Sequence, residues 1–566
     1  MPNPAITTLY ESAYASGSLN PTADDLWGNL PRSLGDVPTI LEQRFKDMPP
    51  IPDKEFHGLQ KIISETMQNY GVFTKAAREQ LANWTPRCGT LEIGHQPLYF
   101  GGGSFFVGKV AFAVGLAGQL RPEGCEGLMP IYFVGDHDQV QNELVITRFP
   151  QSQSSTGLEL KASYPEEQGQ ASVAYLPKPP EEELLDQSNK IRQNYRELFK
   201  YAKVKGQHRP LLEERLEVML DKWYESYLQS SSYADWVARF WARVFVVRNQ
   251  APLLLLRASD PALRELMRPH FETLLQEENR ERLVRTTNTM HDKIQQLGYD
   301  PQLGRREDDY VPFFLDCLQC PGKSRVRVKT TGKNLVGKCP TCGESFEVPY
   351  NPAEPDLSDL SPRLSPRVDS RSIIINQLLR TWVRVTGGGE TGYYAQLIPY
   401  MREVGQRPPL VMKTPRVYYN TPWAEKTAEQ INFDDLPTLH VTETYKRLGA
   451  LAKASSYDEL ATLVGETKVA LDQTYEQLKE AEEIYKEKLA KGKSKQLSRK
   501  LGLVQLYLSH TYGSYEVGKR IQEVSWNWMD LGILVSLNDL LGFYTRQLKD
   551  GTPLAPTFFL SGGKFS

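Results

Sequence analysis

The sequence predicts an α/β protein: a parallel sheet flanked by helices, interrupted by a cysteine-bearing insert and followed by a C-terminal helical hairpin. Three observations predict it. Short, uniformly apolar runs alternate with glycine turns and helical stretches between residues 90 and 150, and the pattern returns at 251–276 and 383–397; strands apolar on both faces belong to a parallel sheet covered on both sides. Two Cys-x-x-Cys pairs, Cys317/Cys320 and Cys339/Cys342, fall between those blocks. From about residue 455, apolar residues recur at spacings of three and four, the period of a helix with one buried stripe.

The elements follow in order. A helical tract surrounds Phe56–Trp84, and "TLEIG", "GHQPLYFGGGS" and "FFVGKVAFAVGLAGQL" read as strand, loop and helix. "GLMPIYFVGDHDQ" is a second buried strand ending in a polar turn. Residues 165–235 read as mostly helical and exposed, and "APLLLLRASDPALRELMRPHFETLLQ" as a strand, a Ser259-Asp260-Pro261 helix start and a helix. The insert is followed by the linker "NPAEPDLSDLSPRLSP", and "VRVTGGGETGYYAQL" resumes the core as strand, glycine turn and helix. Leu471, Tyr475, Leu478, Tyr485 and Leu489 form one helical seam, interrupted by Glu482, and Leu497, Leu501, Val504 and Leu508 form its partner. The expected divisions are 1–290 (N-terminal helices and first part of the core), 291–355 (connective insert), 356–435 (second part of the core) and 436–566 (helical, coiled-coil region).

Composition narrows the function classes. At 566 residues, with 40% hydrophobic and 24% charged, the chain buries a core, and a net charge of −2 supplies no global basic field for nucleic acid. The opening "MPNPAITTLYESAYASG" has no secretory pattern and no apolar run approaches a membrane span, so a soluble, cytoplasmic protein is expected. Six cysteines make no disulfide framework, which favours a reducing compartment and a metal; Cys88 and Cys125 receive no role.

The first glycine turn, Gly101-Gly102-Gly103 through Lys109-Val110, spaces Gly103 and Lys109 as a phosphate loop does, but Val110 replaces the hydroxyl that binds magnesium. Its glycines either permit a tight turn and close packing or leave N–H groups open to an anion at a helix start. "GDHD" gathers Asp136, His137 and Asp138 at a strand end. His137 serves there as a general base on an attacking amine or, protonated, as a phosphate contact. The aspartates orient it, hold magnesium or receive the amine, or else cap the next helix. Four thiolates in two Cys-x-x-Cys knuckles, Cys317, Cys320, Cys339 and Cys342, predict a closed, structural zinc ribbon, with a redox pair as the rival. Lys323, Arg325, Arg327, Lys329 and Lys333 make that insert basic and leave RNA contact open.

Gly94-His95, directly after the first strand, resembles the second half of the His-x-Gly-His signature of class I aminoacyl-tRNA synthetase-like nucleotidyl transferases, with Glu92 in the first histidine position. Over a longer span, "GHQPLYFGGGSFFVGKVAFAVGLA", "PIYFVGDHDQVQNEL", "LLLLRASDPALRELMRPHFETLLQ", "LGYDPQL", "LSPRVDSRSIIINQLL" and "VTGGGETGYYAQL" resemble, in the same order, blocks of the cysteine ligase family of bacillithiol biosynthesis. This chain departs from that pattern in having His95 for a glutamine and "GGGE" for "GPGE".

The resemblance implies a Rossmann-like core of class I synthetase type with a connective insert and a C-terminal coiled coil. It further implies an ATP- and magnesium-dependent ligase joining the carboxyl group of an amino acid, cysteine, to an amine such as glucosaminyl-malate. His95, His137, Asp136 and Asp138 are then catalytic candidates. Gly94, Gln96, Gly101–Gly103, Lys109, Gly387, Gly388, Gly389, Glu390, Tyr393, Tyr394 and Lys413 are nucleotide or substrate contacts, with Lys413 and Arg416 standing where a lysine loop belongs. The competing expectations are a non-catalytic or RNA-associated binding protein and an adenylate-forming transferase with another acceptor. The hairpin's apolar face suits either a homodimer paired through these helices or, equally, a fold back onto the core.

Overall fold

The computed structural model describes residues 3–15, 20–28, 30–121, 125, 127–152, 154–201, 203–204, 206, 208–320, 323–421, 424, 427, 430–431, 433, 457–514, 522–535, 539–540, 542 and 557–561. The boundary expected at residue 436 lies outside them.

Five strands form the central parallel sheet: β1 (Thr90–His95), β2 (Met129–Val134), β3 (Leu254–Arg257), β4 (Thr381–Thr386) and β5 (Leu410–Lys413), in the order β5-β4-β1-β2-β3. Every residue of β2 and β4 is buried, as the unbroken apolar runs predict for strands covered on both faces. The connections turn one way from β1 to β2 and β3 and the other way to β4 and β5. The crevice beyond the carboxyl ends of β1 and β4 is therefore the switch point where such sheets bind ligands.

Helix α1 (Ser104–Gln119) leaves the first glycine turn and packs on β1, β2 and β4. Helix α2 (Pro261–Leu275) starts where the sequence places it, with the Asp260 carboxylate accepting from the N–H groups of Ala262 and Leu263. Helices α3 (Val368–Leu378) and α4 (Gly388–Glu403) flank β4 in the chain. The N-terminal helices lock onto this core: the Tyr10 hydroxyl donates to Val411 O (2.9 Å) and Trp27 Nε1 to Thr391 O (2.9 Å). The tract 165–235 is helical at Glu181–Tyr201 and Arg209–Leu228, but it is not merely exposed, since Tyr195 and Trp223 are fully buried.

The insert is an antiparallel sheet of five strands in the order Leu364–Pro366, Tyr310–Asp316, Arg325–Thr330, Asn334–Lys338 and Ser345–Pro349. Leu364–Pro366 lies past residue 355, so the chain returns to the core through the insert's own edge strand. At the C-terminal end, α5 (Tyr457–Lys491) and α6 (Lys495–Ser514) pack together through Leu478, Tyr485, Val504 and Leu508, the seam read from the sequence, joined by Ile431. Glu482, buried in that seam, is satisfied by Lys479, Lys486 and Gln505. Among the described residues, no helix is long and apolar enough to cross a membrane. Cys88 and Cys125, to which the sequence assigned no role, are joined as a disulfide, against the expectation of a reducing compartment; the fold brings a residue before β1 beside the loop before β2.

A C-terminal stretch, residues 522–535, returns to the first glycine turn. Trp528 Nε1 and Asn527 Nδ2 donate to Phe100 O (2.9 and 3.0 Å), and Trp528 N to Gly102 O (2.8 Å). Gly101 (φ +81°) sits in the left-handed region, and a Cβ there would lie 2.6 Å from Trp528 Nε1. Gly388, by contrast, has nothing within 4 Å of a Cβ position. Gly101→Ala should therefore lower unfolding free energy by roughly 2 kcal/mol or more, while Gly388→Ala leaves it near the wild-type value. Urea denaturation monitored by tryptophan fluorescence checks both.

Candidate functional site

At the switch point the structure gathers five charged side chains from five elements, four of them buried and Glu390 half-buried. Glu92 on β1 meets Arg371 of α3 (2.7 Å) and Arg384 of β4; Arg384 also reaches Glu390 at the start of α4 (2.7 Å), and Glu390 pairs with Lys109 of α1. Lys109 Nζ donates further to Gly94 O (2.8 Å), and Glu390 accepts from Gly387 N (2.7 Å), closing the cap of α4. Gly94 is required because a Cβ there would lie 2.3 Å from Arg371 Nη2 and 2.4 Å from Arg384 Nη2. Three cations face two carboxylates, so the network carries a surplus positive charge at the carboxyl edge of β1 and β4.

Burial sets the protonation states. It drives the Lys109 ammonium down to about 8, against the pull of Glu390 and with the help of Arg384. Burial opposes ionisation of Glu390 as well, but Lys109 and Arg384 outweigh it and hold the carboxyl far below its usual range. Burial likewise raises the hydroxyls of Tyr393 and Tyr394, which sit in α4 with ring centroids 5.4 Å apart.

Both histidines are neutral at physiological pH. His95 stacks on Phe106 (4.3 Å between centroids, 7° between planes), and burial, aided by Lys109, lowers it to about 3. Burial lowers His137 to about 4 despite Asp138, whose Oδ1 lies 3.5 Å from its Nε2. Gln96 Nε2 holds the other oxygen of Asp138 (2.9 Å). His95 Nε2 and His137 Nδ1 are buried without a hydrogen-bond partner among the described residues.

Asp136 lies apart from this pair. Its carboxylate accepts from Arg257 Nε (2.8 Å), Ser259 N (2.8 Å) and Ser259 Oγ (2.6 Å), so it fastens β3 to the end of β2. Lys413 and Arg416 both bind Glu11 (3.0 Å each), which they hold at about 2 although its burial acts to raise it. Gly388 and Gly389 are exposed at the start of α4. The structure thus brings His95, Gln96, His137 and Asp138 together on one side and Lys109 and Glu390 on the other, while Asp136 and Lys413 are engaged elsewhere.

A cavity of about 380 Å³ opens beside His95, Gln96, Gly102 and Gly103, closed by Thr147 on one wall and by Asn527 of the C-terminal segment on another. Gly103 packs closely on that segment, since a Cβ would lie 2.6 Å from Glu523 O. Sequence reasoning missed the C-terminal wall, Arg371 and Arg384. Arg384 had a signal, an arginine inside the otherwise apolar run "TWVRVT", because such a charge must be paired. The wall had none, for nothing in residues 522–528 marks their contact with residues 100–103.

In the insert, the sulfur atoms of Cys317, Cys320, Cys339 and Cys342 all lie within 4.8 Å of one another, three of the residues buried, a group suited to hold a metal ion. The knuckle also orders the neighbouring strand: Ser324 N donates to Cys320 Sγ (3.2 Å) and Cys317 N to Ser324 O (2.9 Å). The insert's basic residues turn largely to the protein's own groups. Lys323 lies over Tyr175 (4.7 Å), Arg325 over Phe314 (4.2 Å), and Lys329 pairs with Asp309 (2.6 Å).

Residues 41–416 match the family model described as "Bacillithiol biosynthesis BshC, N-terminal Rossmann-like domain", and the chain belongs to that family. No curated protein matches the chain.

Removing the Glu390 charge leaves the buried Lys109 without a carboxylate, while Arg384 keeps Glu92. Glu390→Gln should destabilise the protein by about 3 kcal/mol, read as a lower urea midpoint; an unchanged midpoint would show that the network contributes nothing to stability.

Proposed function

We propose that this member of the BshC family is an ATP-dependent ligase that joins the carboxyl group of cysteine to the amine of an amino-sugar acceptor such as glucosaminyl-malate. The observation that carries the reading is the pair of neutral imidazoles, each with an unpartnered nitrogen, at the carboxyl ends of β1 and β2. Amide formation in water needs an activated carboxyl and an amine that loses a proton as it attacks. ATP, as substrate, activates the carboxyl; the new C–N bond forms as the C–O bond to the phosphate-bearing leaving group breaks.

His137 takes the amine proton at Nδ1. Asp138, held by Gln96, faces Nε2 and fixes the tautomer that leaves Nδ1 open. His95, neutral, donates to an oxygen of the leaving group. Magnesium has one partly exposed carboxylate here, Asp138, which matches an ion bound by few protein ligands and substrate phosphates. Asp136 has no such role, since Arg257 and Ser259 already occupy its oxygens. The four thiolates hold a structural zinc: four sulfur ligands fill a tetrahedral site and leave no position for a reacting water.

Four outcomes are expected. Mass spectrometry of reactions with ATP, magnesium, cysteine and glucosaminyl-malate detects the condensed thiol, and His95→Ala and His137→Ala each cut turnover by about 100-fold with the fold intact. Because a base with lowered pKa stays deprotonated until the pH falls to that value, the acid limb assigned to His137 lies near pH 4 rather than 6.5. Wild-type rates in both variants would sink the assignment. Metal analysis of protein purified without chelator gives about one zinc per chain, and near-zero metal would overturn the four-thiolate reading.

A further inference from the structure

The insert sheet packs against the core so that Arg325, the first residue of its third-ordered strand, donates Nη2 to Pro366 O (3.0 Å) while its backbone N–H donates to Gln170 O (2.9 Å). Its guanidinium lies 4.2 Å from the Phe314 ring centroid, and the Arg367 guanidinium lies 4.6 Å from that same centroid. Arg371, one turn further along α3, lies over Phe133 (4.7 Å) at the end of β2. Arg325 and Arg371 both act on the charge of His137 and Asp138, so this arginine group borders the imidazole.

The charge balance there is incomplete. Arg306 has Asp369 (2.9 Å) and Arg264 has Asp316 (2.7 Å). Arg371 shares Glu92 with Arg384. Arg325 and Arg367 have no carboxylate within ion-pair distance among the described residues, and the Nε of each is buried without a hydrogen-bond partner. Asp138 faces Arg325 only at longer range and is already engaged by Gln96. Two guanidinium groups brought to one aromatic ring, partly desolvated and with Asp138, Asp316 and Asp369 acting only from beyond ion-pair distance, repel each other. An arrangement of that kind is stabilised by an anion that accepts from both, and a planar fork of N–H donors matches the oxygens of a carboxylate or a phosphate.

We propose that Arg325 and Arg367, with Arg371, form a subsite for a carboxylate or phosphate oxyanion of a substrate, so that the cysteine-bearing insert supplies part of the active site. Its place in the reaction rests on the ligase reading. The anion has two sources, the carboxylates of the acceptor or the phosphates of the nucleotide, and the subsite holds it beside His137.

Isothermal titration of the full chain with L-malate and, separately, with ATP–magnesium tests this. The wild type binds at least one of them, and R325Q and R367Q, with thermal unfolding unchanged, each weaken that anion by about 10-fold or more. Loss confined to malate assigns the subsite to the acceptor's carboxylates, and loss confined to ATP assigns it to nucleotide phosphate. If a glutamine variant fails to fold, R325K and R367K carry the test, since they keep the charge but lose the fork. Absence of binding of either anion to the wild type, or full affinity in the folded variants, overturns the subsite. A parallel condensation assay separates the two claims. Product with unchanged KM in R325Q and R367Q removes the subsite and leaves the ligase, whereas anion binding lost in the variants without any wild-type product removes the ligase and leaves the subsite.

Discussion

The arrangement at the carboxyl edge of the sheet depends on one constraint, the mutual pairing of Glu92, Arg371, Arg384, Glu390 and Lys109. These side chains come from β1, α3, β4, α4 and α1, so each ion pair fixes one element against another. Buried charges tolerate little misplacement, because an unpaired one costs more than a paired one contributes. The network therefore sets the distance between β1 and the two helices that follow the glycine turns. It also dictates sequence at an uncharged position, Gly94, where the two guanidinium groups occupy the space of a side chain.

The walls of the site come from remote parts of the chain. The parallel sheet provides the floor, with His95 and His137 at adjacent strand ends. The C-terminal segment closes the cavity through Asn527 and Trp526, and its Trp528 and Glu523 take the space that side chains at Gly101 and Gly103 would need. The insert reaches the region after β2 through Arg325 N, which donates to Gln170 O, and its four-thiolate knuckle orders the strand that begins there. The cavity at the sheet edge is thus closed by a segment more than a hundred residues beyond the last strand of the sheet.

Much of this was legible beforehand. The uniformly apolar strands, the Ser-Asp-Pro helix start and the paired seams of α5 and α6 are local patterns, and each corresponds to an element of the fold. The two Cys-x-x-Cys knuckles predicted a metal cluster, and their sulfur atoms converge. Site residues were legible less evenly. Lys109 drew attention through its spacing from Gly103, yet its partners are a carboxylate of the second glycine turn and a backbone carbonyl. Asp136 and Asp138 looked alike in "GDHD", but the strand geometry sends one to Arg257 and Ser259 and the other to Gln96 and His137.

The sequence by itself determined the parallel sheet, the glycine turns at its carboxyl edge, the cysteine knuckles and the helical hairpin, because period, apolarity and turn chemistry act over a few residues. Only the tertiary structure decided which charges neutralise one another, that Cys88 meets Cys125, that residues 524–527 wall the cavity and that Arg325 of the insert approaches His137. Those relations join positions tens to hundreds of residues apart. They follow from where whole elements pack, and no local pattern of residues carries that information.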